Sequence, residues 1–308
     1  MVINLKLFCY MVIYALIYEK GGWGMNQFDI PVLFCTFNRL ECTKRVFERI
    51  REVKPAKMYL VSDGPRENIV DEEKKVNSIR RYLDEHVDWD CQISKTYAEK
   101  NMGCGKRMSS GISWAFEQEE KLIIIEDDCL PDLSFFRYCE ELLELYKEDE
   151  NIMLIGGSNS IEEMEGEDSF VFTPYLENWG WATWKRTWEK YDYDILSWEG
   201  RKIPPYMKTF MSDKAIDFYA RLFDLVYTHE LDTWDYQLQY LIFQQEALTI
   251  APQKCLVKNI GFGPDATHTK TKPDKLYSED HRISFPMQIP SCVKNNEEYT
   301  KRAFEALI

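Results

Sequence analysis

The eight residues from Lys121 to Asp128 constrain the fold of this chain more than any other stretch. An apolar run rich in β-branched isoleucine leads directly into three acidic residues, Glu126, Asp127 and Asp128. A continuous apolar run of this length is typical of a strand that is buried on both faces of a parallel sheet. We therefore predict that a buried strand ends in three consecutive carboxylates.

These three carboxylates, called the acid corner below, are Glu126, Asp127 and Asp128. Adjacent carboxylates repel one another and favour a compensating cation. Hard oxygen ligands select Mg²⁺ or Mn²⁺, and ligands of open α/β sheets bind beyond the carboxyl ends of the strands. The sequence thus predicts a divalent-metal site that holds a phosphorylated ligand, and the alternative is a solvated acidic turn.

Strand and helix patterns alternate along the first half of the chain. Strands are predicted at residues 30–37, 58–61, 89–94, 122–125 and 152–155, with helices near 40–53, 71–83, 101–118 and from 131 onward. This alternation predicts an α/β fold with a mainly parallel central sheet and helices on both faces. Later elements are a strand at 170–173, helices ending at 188 and near 214–228 and 234–245, and a strand-like run at 249–262.

Charge and cysteine content exclude several classes of function. The chain has 52 acidic and 38 basic residues, a net charge of −14, which argues against binding to nucleic acid or to anionic lipid. Cys35, Cys129 and Cys139 lie in apolar or helical patterns, and no C-x-x-C pair occurs. This usage predicts buried, reduced thiols in a cytoplasmic protein, which could also lie at the inner face of a membrane.

The two ends of the chain differ from its middle. Residues 7–18 are apolar, but a helix of this length spans roughly 18 Å, less than the ~30 Å hydrocarbon layer. We expect residues 1–24 to be an extension or a weak membrane-associating segment, with Met25 as an alternative start. Residues 25–270 are predicted to form the main domain and residues 271–308 a polar tail.

Two further strand ends carry polar residues, Arg39 and Asp63. Because the carboxyl ends of parallel strands share one edge, both side chains could contact a nucleotide beside the acid corner. The alternatives are a solvated residue at a helix start for Arg39 and a turn-forming residue for Asp63. Lys106 follows a glycine-bearing loop and could approach an anion at a helix N-terminus, although the loop lacks the spacing of a P-loop or dinucleotide fingerprint.

Asp235 and His268 are further candidates for chemistry. Asp235 could act as the general base for a sugar hydroxyl, since such an attack needs a positioned proton acceptor. The structural alternative makes Asp232 the N-cap of a helix, with Asp235 in its first turn. His268 follows a glycine-rich loop and could bind metal or phosphate, or could be a solvated loop residue.

The chain resembles glycosyltransferases of the GT-A fold, and among them the eukaryotic β-1,2-N-acetylglucosaminyltransferases that extend mannose. The resemblance covers roughly residues 30–268. It rests on the opening strand and turn from Pro31 to Arg39, Val61-Ser62-Asp63, Glu126-Asp127-Asp128, Pro131-Asp132-x-x-Phe135-Phe136, Gly180-Trp181 and Trp234-Asp235.

The resemblance implies a role for each matching residue. Arg39 lies at the nucleotide, Asp63 holds the uracil, and Asp128 contacts a Mn²⁺ that bridges the diphosphate. Gly180 and Trp181 lie on the acceptor side, and the Trp234-Asp235 segment carries the catalytic base. Where the family has a second Asp, this chain has Tyr236.

The sequence therefore predicts a glycosyltransferase that depends on Mn²⁺ or Mg²⁺. Its donor would be a UDP-sugar held by Arg39, Asp63, Lys106, Glu126 and Asp127, with the metal on Asp128 and His268. Its acceptor would be a hydroxyl of a glycan or glycolipid, activated by Asp235 with inversion. The alternatives are a carbohydrate-binding protein of the same fold without turnover and a glycoside hydrolase, although hydrolases use two facing carboxylates rather than adjacent ones.

Overall fold

The structure is a computed structural model that describes residues 27–161, 166–262, 282–306 and 308. The predictions made for residues 1–24 and for His268 lie outside these residues. No helix within the described part of the chain is long and apolar enough to span a membrane.

An eight-stranded sheet forms the centre of the molecule, in the order β3-β2-β1-β4-β8-β6-β9-β7. Its strands are β1 (Val32–Thr36), β2 (Lys57–Ser62), β3 (Gln92–Tyr97), β4 (Lys121–Glu126), β6 (Ile152–Gly156), β7 (Phe170–Thr173), β8 (Trp181–Trp184) and β9 (Leu248–Pro252). A separate antiparallel pair joins β5 (Cys129–Pro131) to β10 (Val257–Asn259).

The first four strands of this order are parallel. Strand β1 lies between β2 and β4, and Cys35 is level with both Val61 and Glu126. Side chains along β1 alternate between two apolar clusters, with Phe34 in one and Leu33 in the other. Burial on both faces explains why the isoleucine run of β4 is apolar without interruption.

The described residues form eight α-helices and two short 3-10 helices, Leu196–Trp198 and Pro205–Thr209. The α-helices are α1 (Leu40–Val53), α2 (Glu72–His86), α3 (Cys104–Phe116), α4 (Leu133–Leu145), α5 (Lys185–Trp188), α6 (Asp213–Tyr227), α7 (Asp235–Gln244) and α8 (Glu297–Glu305). The apolar cluster on one face of the sheet takes its helical residues from α1, α2 and α4, and the cluster on the opposite face from α3, α5 and α7. The predicted α/β class, with a mainly parallel sheet and helices on both faces, is confirmed.

Helix α4 follows the acid corner and forms as its sequence indicates. The side chain of Asp132 caps it by accepting a 2.9 Å hydrogen bond from the backbone N–H of Ser134. Phe135, Phe136 and Leu142 are buried on its inner face. Because this apolar stripe packs against the sheet, the segment that follows the acid corner is held in place.

Strand β8 was not predicted as a strand. It pairs antiparallel with β4 on one side and β6 on the other, so that it lies in the middle of the sheet. Trp181, at its start, is 1% exposed and stacks on Trp234 with ring centroids 5.1 Å apart. Because four residues buried on both faces show no alternation of apolar and polar side chains, the sequence gives only a weak strand signal here.

The C-terminal helix α8 packs against α6 and α7. Tyr299, Ala303 and Phe304 are buried in an apolar cluster with residues of those helices, including Phe223 and Phe243. Residues 297–305 therefore contribute to the core beside the cleft described next.

Candidate functional site

A cleft of about 950 Å³ opens at the carboxyl ends of β1, β2 and β4. It brings together six of the side chains singled out from the sequence: Arg39, Asp63, Glu126, Asp127, Asp128 and Asp235. Their convergence follows from the topology, since three neighbouring parallel strands end at one edge of the sheet.

Arg39 binds two carboxylates of the acid corner at once. Its Nη2 lies 2.7 Å from Oδ1 of Asp127, and its Nη1 lies 2.7 Å from Oδ2 of Asp128. The second oxygen of Asp127 accepts a 2.9 Å hydrogen bond from the backbone N–H of Phe37. The planar guanidinium thus locks the end of β4 to the turn after β1 through two charge-assisted hydrogen bonds.

The Glu126 carboxylate has no arginine or lysine partner among the described residues. Among the described residues no group donates a hydrogen bond to its carboxylate, although it lines the cleft. Burial, followed by the charge of Asp128, raises the pKa of Glu126 to about 8. Burial also raises the pKa of Asp127, although the charge of Arg39 counteracts it. A single guanidinium for three carboxylates leaves the acid corner short of positive charge.

The acid corner has oxygen atoms to offer a hard cation. Oδ2 of Asp128 contacts Arg39 and Nδ2 of Asn259, the latter at 3.5 Å, whereas the nearest hydrogen-bond donor to Oδ1 is the Cys129 thiol, with its Sγ at 3.7 Å. No cluster of three or more metal-ligating side chains occurs among the described residues. Mg²⁺ characteristically takes one or two protein carboxylates and completes its shell with phosphate oxygens and water. The donor set of Asp128 and Glu126 fits that mode of binding.

Gly261 closes over the ion pair between Arg39 and Asp128. A Cβ atom at this position would collide with Oδ2 of Asp128 and with Nη1 of Arg39. The backbone N–H of Gly261 donates a 2.8 Å hydrogen bond to Oδ1 of Asn259, and the backbone N–H of Ile260 donates one of 2.7 Å to the carbonyl of Asp128. The segment after β10 is therefore held directly against the acid corner.

Asp63 is buried and accepts four hydrogen bonds. Its Oδ1 accepts the backbone N–H groups of Gly64 and Met102, each at 2.8 Å, and its Oδ2 accepts Nδ2 of Asn101 at 2.9 Å and the N–H of Gly103 at 3.2 Å. A carboxylate has about four lone-pair sites, so all are occupied in this conformation. Asp63 ties the loop before α3 to the end of β2, and contact with a nucleotide base would require Asn101 to move.

Arg107 also lines the cleft and was not predicted from the sequence. Its side chain is 5% exposed and donates through Nη2 to the carbonyl of Thr96, while its Nε has no hydrogen-bond partner among the described residues. Burial lowers the pKa of Arg107, and the charges of Cys35 and Asp63 oppose that effect. The only sequence signal was its place at the start of a helix after a glycine-bearing loop.

Asp235 is the first residue of α7 and lines the same cleft as the acid corner. Its Oδ1 accepts the Thr233 hydroxyl and, at 2.9 Å, the backbone N–H of Tyr236. Its Oδ2 accepts Nδ2 of Asn178 at 2.8 Å. These three donors hold the carboxylate in one orientation toward the cleft, and Asp235 is near enough to contribute to the raised pKa of Glu126.

Asp232 does not cap its own helix, contrary to the structural alternative raised from the sequence. The residue before α7 is Trp234, which makes no capping bond through its side chain. The carboxylate of Asp232 instead accepts the backbone N–H groups of Cys104 and Gly105, both at 2.8 Å, at the start of α3. It therefore joins the two sides of the cleft and stabilises the exposed N–H groups of α3.

Three other candidates lie away from the cleft surface. Lys106 is exposed on α3, Trp181 is buried in β8, and Gly180 adopts a φ of +61° where a side chain would meet Val257. Trp179, rather than Trp181, lines the cleft. Trp181 contacts the cleft only indirectly, through its stacking on Trp234.

Glu177 organises the cleft wall next to Asp235 and was not identified from the sequence. It is 4% exposed, and its two oxygens accept hydrogen bonds from the hydroxyls of Ser158, Ser160 and Tyr299 at 2.8, 2.6 and 2.5 Å. Asn178, which holds Asp235, is the next residue. No local motif could have indicated this network, because its members come from three separate parts of the chain.

Comparisons with known proteins give only distant matches. No family model and no curated protein matches the sequence. The chain is similar to the mannosyltransferase PcManGT from Pyrobaculum calidifontis in complex with GDP-Man and Mn²⁺, at 13% identity and a TM-score of 0.36, over 60% of this chain and 53% of that one. S. aureus TarS 1-349 matches at 10% identity and a TM-score of 0.34, over 65% and 55% of the two chains.

UDP-glucose pyrophosphorylase complexed with UDP-glucose matches at 12% identity and a TM-score of 0.36, over 73% of this chain and 90% of that one. The chain thus spans little more than half the length of PcManGT and of the TarS fragment. Overlaps with TM-scores this low carry no argument about activity. None of these matches identifies the β-1,2-N-acetylglucosaminyltransferase family, which stays a prediction.

Proposed function

We propose that this protein is a metal-dependent glycosyltransferase with a GT-A-like domain over residues 25–270, which transfers a sugar from a UDP-sugar to a hydroxyl of a glycan or glycolipid in the cytoplasm. The observation that carries the proposal is the shared cleft. The acid corner, which has too little positive charge, and Asp235, a carboxylate held by hydrogen bonds, both line it. The acid corner can hold a cation and a diphosphate, and Asp235 can accept a proton.

The donor end combines the acid corner with three basic residues. Arg39, Arg66 and Arg107 line the cleft there, and guanidinium groups suit the oxygens of a diphosphate. The loop that Asp63 holds supplies the surface for the nucleoside. Lys106 and Gly180-Trp181 lie outside the cleft lining, so we assign them supporting roles for α3 and for the sheet.

Asp128, with Glu126 beside it, is proposed to hold Mn²⁺ or Mg²⁺. When bound, such a cation stabilises the negative charge of the departing diphosphate as a Lewis acid. Asp127 remains paired with Arg39 and keeps the acid corner in position. His268 is proposed as a further ligand on the strength of the sequence alone.

Asp235 is proposed as the general base. It would take the proton of the acceptor hydroxyl while the oxygen bonds to the anomeric carbon and the bond from that carbon to the diphosphate breaks. Attack from the side opposite the diphosphate inverts the configuration at that carbon. Asn178, Thr233 and the N–H of Tyr236 fix the carboxylate so that little reorganisation is needed during transfer.

A thermal-shift panel of nucleotide sugars, with and without Mn²⁺, tests the donor site. Wild-type protein should be stabilised only when metal and UDP-sugar are both present, and Asp128→Asn should abolish that shift. Glu144→Gln, a change at a partly exposed residue of α4 outside the cleft lining, is the matched control and should behave as wild type. Equal thermal shifts in wild type and Asp128→Asn would show that Asp128 does not hold a metal ion.

Turnover separates a transferase from a binding protein of the same fold. A transferase releases UDP in the presence of metal, and Asp235→Asn should suppress that release by about 100-fold or more while the thermal shift persists. Binding without UDP release in wild type would support the non-catalytic alternative. Activity that survives chelation and needs no nucleotide would support a hydrolase.

A further inference from the structure

The cleft changes its chemical character beyond Asp235. The basic residues among its described lining are Arg39, Arg66 and Arg107, and all belong to the first half of the chain. From Ser158 onward, the described residues that line the cleft include no lysine, arginine or histidine. Two of the later residues, Asn259 and Gly261, lie against Asp128 and Arg39 of the donor end. The part lined by Tyr175, Tyr219, Leu231 and Tyr236, called the inner pocket below, offers polar and apolar contacts and has no lysine, arginine or histidine in that lining.

Two tyrosines form a wall of the inner pocket. Tyr219 comes from α6 and Tyr236 from the first turn of α7, and their ring centroids lie 6.3 Å apart at an interplanar angle of 75°. Tyr219 is only 3% exposed, yet its side chain lines the cleft. Within the described part of the chain neither hydroxyl has a hydrogen-bond partner.

Two tyrosines that contact residues of the cleft lining have protein partners for their hydroxyls. Tyr299 donates to Oε1 of Glu177 at 2.5 Å, and Tyr191 donates to the carbonyl of Trp234 at 2.9 Å. Buried polar groups are nearly always hydrogen-bonded in native proteins. The hydroxyls of Tyr219 and Tyr236 lack such a partner among the described residues and lie at the cleft surface, where a ligand can supply one.

Both phenols are protonated near neutral pH. Burial, followed by the charge of Asp235, raises the pKa of Tyr236 to about 12. Burial likewise raises the pKa of Tyr219 well above its ordinary value, and Asp235 and Glu177 are among the charges that add to the effect. Each hydroxyl can thus donate one hydrogen bond and accept another, which matches the bonding pattern of a sugar hydroxyl.

We propose, resting on the proposed function, that the inner pocket binds the acceptor as an uncharged sugar, with Tyr219 and Tyr236 hydrogen-bonded to hydroxyls next to the one that Asp235 deprotonates. A uronic acid or phosphorylated sugar is excluded from this pocket, because its anion would face Asp235 and Glu177 without a compensating cation. Tyr236, at the position where the resemblance has an Asp, acts here as a specificity residue rather than a base.

Ligand-observed NMR on the full chain, with Mn²⁺ replaced by Mg²⁺ and with UDP present, tests the proposal. The probes are p-nitrophenyl glycosides of glucose, mannose, galactose and N-acetylglucosamine, with p-nitrophenyl glucuronide as the anionic match of the glucoside. At least one neutral glycoside should bind, and the glucuronide should not bind. Tyr219→Phe and Tyr236→Phe should each lower the affinity for the neutral glycoside by about 2- to 10-fold, the range for one lost hydrogen bond.

Tyr227→Phe is the matched control, since Tyr227 lies on α6 with Tyr219 but does not line the cleft. The thermal shift with UDP-sugar should stay unchanged in all three variants, which separates acceptor binding from donor binding. A protein that binds the UDP-sugar but also binds the glucuronide, binds no neutral glycoside, or is unaffected by both cleft substitutions would overturn this inference and leave the proposed donor site intact. Loss of the UDP-sugar shift in wild type would instead overturn the proposed function.

Discussion

Asn178 donates a 2.8 Å hydrogen bond from its Nδ2 to Oδ2 of Asp235. The two residues are 57 positions apart in sequence. Asn178 follows Glu177, whose carboxylate is buried and bound by hydroxyls from the loop after β6 and from α8. The orientation of Asp235 therefore depends on a network that extends to the C-terminal helix.

Replacing Asn178 by Ala should slow sugar transfer without weakening the binding of the UDP-sugar. The change removes one of three hydrogen bonds to Asp235, so we expect kcat to fall by about 10- to 100-fold while the UDP-sugar thermal shift persists. Steady-state kinetics and the thermal-shift panel measure the two quantities. The exposed change Asn77→Ala on α2 is the control, and a loss of donor binding in Asn178→Ala would contradict the assignment.

Replacing Arg39 by Ala should destabilise the fold, because Asp127 and Asp128 lose their shared partner. Removing a charged hydrogen-bond partner costs about 1.5–3 kcal/mol, and water in the cleft moderates the effect. Urea denaturation gives the free energy of unfolding. Arg49→Ala, which breaks an exposed pair with Glu52, is the control and should cost no more than about 0.5 kcal/mol. Equal losses in the two variants would mean that the acid corner does not need Arg39.

Gly261→Ala should disrupt the acid corner by steric contact alone. The new methyl group would occupy the space of Oδ2 of Asp128 and Nη1 of Arg39, which must then separate. We expect loss of the metal-dependent UDP-sugar shift together with a lower melting temperature. At Gly200 a Cβ would meet only the Lys202 side chain, at 3.7 Å or more, so Gly200→Ala is the control. Normal metal-dependent binding in Gly261→Ala would show that the pair tolerates displacement.

Stability should fall as pH rises through the titration range of Glu140. Burial, followed by the charge of Glu141, raises the pKa of Glu140 from 4.5 to about 7. Between these values the folded state binds more protons than the unfolded state, so the free energy of unfolding decreases with increasing pH, by at most about 1.4 kcal/mol per pH unit for this group. Glu140→Gln should remove this part of the pH dependence.

Urea denaturation at several pH values between about 5 and 7 checks the prediction for Glu140, since the linkage acts in that window. Glu144→Gln lies on the same helix and serves as the control, because the Glu144 side chain is more exposed and pairs with Lys147. A slope that is the same in wild type and Glu140→Gln would mean that Glu140 does not titrate differently in the folded state.

The sequence by itself determined the parallel half of the sheet and the place of the acid corner. The isoleucine run of β4, the apolar stripe of α4 and the helix at Leu40–Val53 are local patterns, and each formed close to the predicted residues. Adjacent parallel strands must end at one edge, so the meeting of Arg39, Asp63 and Glu126 followed from the alternation of elements. Burial and periodicity act between near neighbours in the chain, which is why a single sequence records them.

Only the tertiary structure decided which polar groups each candidate contacts. Strand β8 lies between β4 and β6, and this position buries Trp181. The start of α3 lies close to Asp232, whose carboxylate therefore binds that helix instead of capping its own. The four donors on Asp63 and the pairing of Asn178 with Asp235 likewise depend on segments that meet only after folding. Hydrogen bonds are short-ranged and directional, so their partners are fixed by how distant segments cross, and no pattern within one segment encodes that crossing.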